Sequence, residues 1–556
     1  MELTPAKTNR CELAYRLLAF AVGLWTFGWT YICGQRGLFI SDQTVVFDAG
    51  WRILCGQVPF KDFFMGPGVL APAIEAVFLR LLGVNWTSMV ISSATVGLLA
   101  ALSTMRIIRL YFGFDRRGLA LLGGLLVGSF FQAIFGTLVW EEAAFLFTLF
   151  GIQAVGESLR CQGWKVCAWQ AAAGVCGVLS FLGKQNAGAL TLAMLALVLA
   201  LAAWSRRGEL MQSAVAYGAG VGAAAAFFTL WLFIYSNPSA FWHYAVVNMA
   251  NARRGLLLAP RNFLLPSFLN NVGIVQQSVP SSVTPWCHAF ALGAASLAVC
   301  RALFEPTAQV RFKTDARFRI ALALTAAVPF LQAAFQVTTA QEVRNGLFLS
   351  GLSLTLGWGL ALELTSSAAT RRWLAATACA VAGFLLVDGL RCAWFRQEHL
   401  IFTQHPASGA KLQVPGMEGL TWMEPTQLWT DSSAEVRALD IEEVAHYLAG
   451  KNEKFFVFGD SSFLYGVLRQ PSQSPLLYFQ PGAYYTRADI PGLDRETVSS
   501  LERNGVRLVV REKFSFFNRP ERPEKPEDSF PLTKAWIAQN FIPGPVFGNY
   551  EILLHK

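Results

Sequence analysis

Three carboxylates and three cations stand where this chain could do chemistry. Asp42 follows the first long apolar run, and Glu141 and Glu142 stand side by side between two later ones. Lys184 sits in LGKQN, between two more apolar runs, and Arg253-Arg254 lie in a long polar stretch. A carboxylate can act as general base toward a hydroxyl or amine when it comes within ~2.6–3.2 Å of the proton it takes. Ammonium and guanidinium groups suit a phosphate, the guanidinium as a two-pronged fork. Each residue also has a plainer reading. Ser41-Asp42 precedes a helix predicted over 43–55, so Asp42 suits a helix cap. Glu141 and Glu142 suit the positive end of a helix dipole. Lys184 can snorkel from a short turn, and Arg253-Arg254 can be a solvated pair. Asp48 is expected to face water on the same helix as Asp42, and Asp62 to fix the shape of the PFKDF turn. The six histidines show no metal-ligand spacing, so no protein-built metal site is expected; an ion shared by Asp42 and a substrate phosphate is an arrangement these residues still allow.

The elements that must hold these residues are membrane helices. The chain has 556 residues, 54% hydrophobic and 15% charged, with a mean hydropathy of +0.41. Soluble chains carry about 25% charged residues, and a single soluble core does not grow to absorb this much apolar surface. A spanning helix needs about 20 mostly apolar residues. Eleven segments qualify: 13–33, 88–105, 118–138, 142–158, 168–183, 187–204, 214–235, 285–300, 320–340, 346–363 and 374–391. The first, preceded by Lys7 and Arg10, is longer than a signal peptide's apolar core and lacks a small-x-small cleavage site, so it is expected to be retained.

A twelfth apolar stretch, 67–84, carries Glu75, Arg80 and three prolines or glycines near its start. If it spans, every later segment inverts. Charge decides. With 67–84 outside the count, seventeen basic residues fall in six short segments, 7–10, 106–117, 160–165, 206–207, 301–319 and 371–372. The other side holds eight: Arg36, Arg52, Lys61, Lys184, Arg253, Arg254, Arg261 and Arg344. Cytoplasmic loops are the basic ones. The excess of +9 in net charge is therefore read as membrane topology and not as a nucleic-acid surface. The expected fold is an α-helical polytopic membrane protein of about eleven spans, N-terminus inside, with 67–84 as an interfacial helix on the outer face. Three outer segments stand out: 34–66, the acidic turn at 140–142, and 236–285. Cys33 and Cys55 flank the first and are placed for a disulfide, although free cysteine is equally at home in a membrane core.

After residue 397 the pattern changes to a small external α/β domain, 398–556. Asp440 is expected to cap a helix running to Gly450, and 494–505 to form another. KFFVFG (454–459), VRLVV (506–510) and EILLH near the end read as strands. The Pro- and charge-rich 517–530 reads as a loop. No nucleotide-binding Gly loop or catalytic triad occurs in this tail, which then serves recognition or stability.

The first outer segment, LFISDQTVVFDAGWRILCGQVPFKDFFMGPGVLAPAIEAVFLRLLG (38–83), resembles that of C-type (GT-C) membrane glycosyltransferases. Its bacterial branch, related to lipid A aminoarabinose and protein O-mannosyl transferases, matches best. The features shared are Asp42, an aromatic-rich helix, G-x-x-P-[FY]-[KR]-D-F, Pro-Gly, and an apolar helix ending in Leu-Gly; the layout of the whole chain, tail included, fits as well. The resemblance implies a transferase that takes a sugar from a polyprenyl-phosphate donor and needs no nucleotide; no cofactor is expected, apart from a divalent metal that Asp42 and the substrate phosphate could share. It puts Asp42 at the reaction centre, followed by Gln43 where many members have Glu, and a further acid at the position of Glu141-Glu142. Many members have Lys-Pro-Pro where this chain has Met65-Gly66-Pro67-Gly68. That departure leaves the donor phosphate to Lys184, or to Arg253 and Arg254. The acceptor would be a lipid, glycan or protein, and the membrane a bacterial inner membrane.

Two other classes compete. A flippase for lipid-linked saccharides would show inverted repeats and broken helices at the midplane. The chain has no visible internal repeat, and its charges gather toward the outer face. A scaffold without activity, with the tail as interaction module, is the third. Release of labelled sugar from a polyprenyl-phosphate donor separates the three.

Overall fold

The computed structural model describes residues 5–38, 42–66, 68–113, 115–131, 136–204, 207–250, 293, 296–297, 299–301, 304–339, 349–396, 402–403, 411–421, 424–425, 437–477, 479, 485–513 and 526–556. Its helical part runs α1 (Pro5–Gly34), α2 (Asp42–Leu54), α3 (Leu70–Leu82), α4 (Trp86–Phe112), α5 (Arg117–Phe130), α6 (Trp140–Ser158), α7 (Trp164–Gly183), α8 (Gln185–Ala202) and α9 (Arg207–Tyr235). A π-helical turn follows at Phe241–Asn248, then helices Pro306–Thr314, Ala316–Thr339, Ser350–Glu363 and Ala368–Arg396. Of the eleven expected spans, 118–138 and 346–363 meet helices of only 14 residues, Arg117–Phe130 and Ser350–Glu363, most of 285–300 lies outside the described residues, and each of the others falls on a described helix. By length and composition, six helices among the described residues can cross a membrane. Their outward sides are apolar: Phe20 on α1 is 71% exposed and Phe227 on α9 is 76% exposed. Water would penalise such surfaces and lipid does not, which is the pattern of a multi-pass membrane protein.

Where apolar burial cannot drive helices together, close packing must. Helices α7 and α9 cross at glycine: a Cβ at Gly220 would run into the Ala171 carbonyl, and one at Gly174 into that of Tyr217. Helix α3 has 13 residues, about 20 Å at 1.5 Å per residue, too short to cross a core of about 30 Å. It buries Ala71, Pro72, Glu75, Ala76 and Leu79 and exposes Val77 and Leu81. Glu75 accepts a 2.6 Å bond from Ser92 of α4.

The bundle has two chemically different ends. At one, the basic segments meet acids from distant helices: Arg109 and Arg117 with Glu12, Arg106 with Glu157, and Arg116 and Arg311 with Glu363. Buried Arg319 donates to the carbonyls of Leu201 and Ala202, closing the C-terminus of α8. At the other end lie α2, α3 and the C-terminal part of the chain. There a two-stranded ribbon pairs β1 (Phe402–Thr403) with β2 (Glu424–Pro425). A four-stranded sheet follows in the order β3-β4-β6-β5, built from β3 (Phe455–Phe458), β4 (Leu508–Glu512), β5 (Phe541–Phe547) and β6 (Tyr550–His555). Strands β3 and β4 are parallel, joined through helix Ile490–Asn504, and the other pairings are antiparallel.

The three strands expected from sequence are present; β5 was not expected, because Pro543-Gly544-Pro545 reads as a turn. It is an edge strand, where missing N–H donors are tolerated. Asp440 is not the cap of helix Ala438–Lys451. It sits one turn in and accepts from the backbone N–H of Arg437, which takes the cap position. Part of 517–530 is helical, Pro526–Ser529.

Helix α2 is clamped to the sheet's loops. Arg52 donates to Asp48 (2.9 Å), to the Ser474 carbonyl (2.5 Å) and to the Leu476 carbonyl (3.0 Å), and packs against the Phe63 and Tyr465 rings. Trp51 donates to the Gln470 carbonyl and Gln57 to that of Ser472. The expectation that Asp48 faces water is therefore wrong: it is 0% exposed, and burial pushes its carboxyl up to about 6 against the pull of Arg52. The reason is the C-terminal part, which covers a helix face that local sequence leaves open. Removing one partner of a buried pair costs about 3–5 kcal/mol, because the other charge stays buried. Arg52→Met is expected to lose that much in a denaturation of the protein in lipid nanodiscs. Asp48→Leu combined with Arg52→Met is expected to recover most of it. Asp62 does shape its turn, accepting a 2.7 Å bond from the Val58 N–H. Cys33 and Cys55 are both free thiols, one buried and one exposed, so the disulfide does not form.

Candidate active site at the start of helix α6

Three separate stretches of sequence converge on the first turn of α6. The first is the start of α2, which opens at Asp42. The Asp42 side chain lies outside the described residues, as do Arg253 and Arg254. Its neighbour Gln43 is buried and donates a 3.0 Å bond to Thr137, just ahead of α6. The second is the acidic pair. Glu142 is buried and turns back to accept from the Val139 N–H at 3.1 Å, closing the helix start. Glu141, also buried, reaches the third stretch and forms an ion pair with Lys184.

Lys184 is the joint between α7 and α8. Its backbone is extended (φ −153°, ψ 122°); its N–H donates to the Ser180 carbonyl and its carbonyl accepts from Gly188, each at 2.9 Å. Just below the joint, the hydroxyl of Thr148 on α6 meets those of Ser180 on α7 (3.3 Å) and Thr191 on α8 (2.8 Å), fixing the three helices in register. Gly66 and Gly68 close against the same joint. Gln185 donates to the Gly66 carbonyl at 3.0 Å. Gly68 lies so near the end of α7 that a Cβ would run into the Leu182 carbonyl, so this approach requires glycine. The chain thus brings Lys184 beside the loop that lacks the lysine of the resembled family.

A roof comes from the sheet. Thr44, one turn into α2, donates to the Asp460 carbonyl (3.2 Å). Asp460, Ser461 and Ser462 are buried at the C-terminal end of β3, and the N–H groups of the first two donate to Glu512 at the end of β4. Burial pushes the Glu512 carboxyl upward despite these bonds. Sequence reasoning passed over Gly459-Asp460-Ser461-Ser462. The signal it carried was a turn of small polar residues directly after a buried parallel strand, where α/β sheets bind ligands. The π-helical turn docks on the same part: His243 contacts Asp489 at 2.6 Å and Asn248 donates to it at 3.0 Å. Burial works to raise the Asp489 carboxyl, but bonds from His243 and Thr486 bring it below the usual range. Among the described residues, no group of three His, Cys, Asp or Glu lies close enough to hold a metal ion.

No protein-family model and no curated relative matches the chain. Among solved structures, its neighbours are GT-C glycosyltransferases, the class that residues 38–83 resemble. They include the Archaeoglobus fulgidus oligosaccharyltransferase in complex with Zn and sulfate (12% identity, TM-score 0.46, 89% of this chain and 68% of that one). ArnT from Cupriavidus metallidurans aligns in its apo state (14%, TM-score 0.41, 98% of each chain). The arabinofuranosyltransferase AftD from Mycobacteria aligns over 97% of this chain and 40% of its own length (14%, TM-score 0.48). All three TM-scores lie below 0.5, and the likeness assigns no residue a role.

Proposed function

We propose that the chain is an inverting membrane glycosyltransferase that moves a sugar from a polyprenyl-phosphate donor to an acceptor at the outer face of a bacterial inner membrane. In this reading residues 1–397 form the membrane domain, of about eleven spans with the N-terminus inside, and 398–556 an external domain. Asp42 takes the proton of the acceptor hydroxyl or amine as its oxygen or nitrogen bonds to the anomeric carbon. The bond from that carbon to the phosphate oxygen breaks in the same displacement, which inverts the configuration, and the lipid phosphate leaves with the electron pair. Lys184 meets the donor phosphate, and Glu141 holds the ammonium in place. Glu142 fixes the start of α6. Arg253 and Arg254 supply further cations to the phosphate.

The observation that carries this reading is the buried Glu141–Lys184 pair at the joint of α7 and α8. An ionisable pair at this depth, beside an interfacial helix, is costly unless it has work to do. A polyprenyl-phosphate keeps its tail in lipid and its charge at that level. The ammonium has three donors, so it can keep Glu141 and still bond a phosphate oxygen. The two-ended bundle supports the sidedness, since the acid–base clusters lie opposite the end where the sheet docks.

Membranes containing the protein should release labelled polyprenyl phosphate and transfer the sugar with inverted configuration. A topology reporter should be cytoplasmic after Arg319 and external after Lys411. No release above membranes lacking the chain would overturn the reading, as would a cytoplasmic reporter at Lys411.

A further inference from the structure

Away from that site, a cleft of about 370 Å³ opens where the sheet's loops meet the end of α2. Five carboxamides line it, from Gln57, Asn452, Gln470, Gln473 and Asn504, together with Lys454. Among its described lining residues none is acidic and none aromatic. The backbone of its floor is spoken for: the carbonyls of Gln470, Ser472 and Gln473 accept from Trp51, Gln57 and Ser500. Lys454 gives one of the three donors of its ammonium to the Asn504 carbonyl at 2.8 Å. Gln57 gives its N–H to Ser472, while its Oε1 is buried without a partner. A buried acceptor left open costs about 1–3 kcal/mol unless something donates to it.

We infer that this cleft binds a neutral saccharide. A carboxamide offers a donor and an acceptor side by side, which matches two neighbouring hydroxyls. Five of them around one cleft suit a polyhydroxyl ligand; among the described lining residues Lys454 is the one cation, without the arginine fork or second cation that favours a phosphate or a carboxylate. Gln57, Gln473 and Asn504 each give one N–H to a backbone carbonyl, of Ser472, Pro471 and Ser500, and an apolar ligand would leave the buried Gln57 Oε1 without a donor. The cleft and the candidate active site lie at opposite ends of α2. Its 13 residues put about 20 Å between them. Resting on the glycosyltransferase reading, the ligand is a part of the acceptor glycan remote from its reacting end, held by the carboxamides.

The test uses the full chain in lipid nanodiscs and a panel of short neutral oligosaccharides, with binding read by saturation-transfer NMR and calorimetry. At least one glycan of the panel should bind, and Asn504→Ala together with Gln470→Ala should weaken it at least about tenfold with an unchanged thermal midpoint. If that pair does not fold, Gln470→Glu at the rim should weaken the same glycan. Absence of binding across the panel, or equal binding by the variants, would overturn the inference. Donor turnover, followed separately as release of labelled polyprenyl phosphate, tells the two readings apart. Turnover without any glycan binding sinks the cleft alone. Glycan binding that the variants abolish, with no turnover, supports the cleft and sinks the transferase.

Discussion

Lys184→Met is expected to cost both stability and transfer, and a second substitution is expected to return only the first. The ammonium and the Glu141 carboxylate are 11% and 4% exposed in their side chains. Removing the cation strands a carboxylate there, at a cost of about 3–5 kcal/mol. Lys184→Met together with Glu141→Gln removes both charges, and a neutral pair of similar size is often as stable as the ionic one. The thermal midpoint should therefore recover in the double variant. Donor binding should not, because a phosphate at the joint still meets no ammonium. The apparent donor KM should rise at least about tenfold, the scale of one charge-assisted bond. Lys184→Arg should give part of it back, with a fork less suited to a narrow joint. A polyprenyl phosphate without sugar should weaken in parallel. If the double variant binds that analogue as tightly as the parent, the pair is only structural, and Arg253 and Arg254 are the residues to replace next.

Much of this arrangement was legible because lipid imposes simple rules. A helix that must cross needs about twenty apolar residues, so the long apolar helices could be read as lengths, six of them long enough to cross among the described residues. The short α3 stood out because it carries Glu75 and Arg80 and starts among prolines and glycines. The strands β3, β4 and β6 showed as apolar runs between turn residues. What was not legible lies in pairs that sequence separates. Arg52 and the carbonyls it holds are 422 and 424 residues apart, and nothing in the periodicity of α2 says which face the sheet will cover. Asp48 therefore looked solvated. Glu141 and Lys184 were read as members of two sites, an acid for chemistry and a cation for phosphate. Their spacing of 43 residues hides that α6 and α7 fold back to bring them together. Strand β5 was missed for the opposite reason: its prolines are a strong local signal, and an edge position with half its backbone unpaired overrides it.

Asp42→Asn is expected to have the largest effect on the reaction, about 10²-fold or more in transfer rate, with normal abundance in the membrane. The substitution separates two roles that the same side chain can play. Asparagine caps a helix about as well as aspartate, so the start of α2, its bond from Gln43 to Thr137 and its clamp on the sheet should survive. The stability should stay within about 0.5 kcal/mol of the parent, as for substitutions that break no cap, pair or packing. What asparagine lacks is the ability to take a proton. An acceptor hydroxyl then attacks still protonated, and the rate falls by the worth of the base. The pH profile gives an independent reading. In the parent, transfer should rise with pH as the carboxylate ionises and then level off. In Asp42→Asn that acid limb should vanish, while donor KM stays near the parent value because Lys184 is untouched. A variant that transfers at the parent rate, or that keeps the acid limb, would make Asp42 a cap and nothing more. The base would then have to be sought at Glu141, where the partner Lys184 would have to release it first.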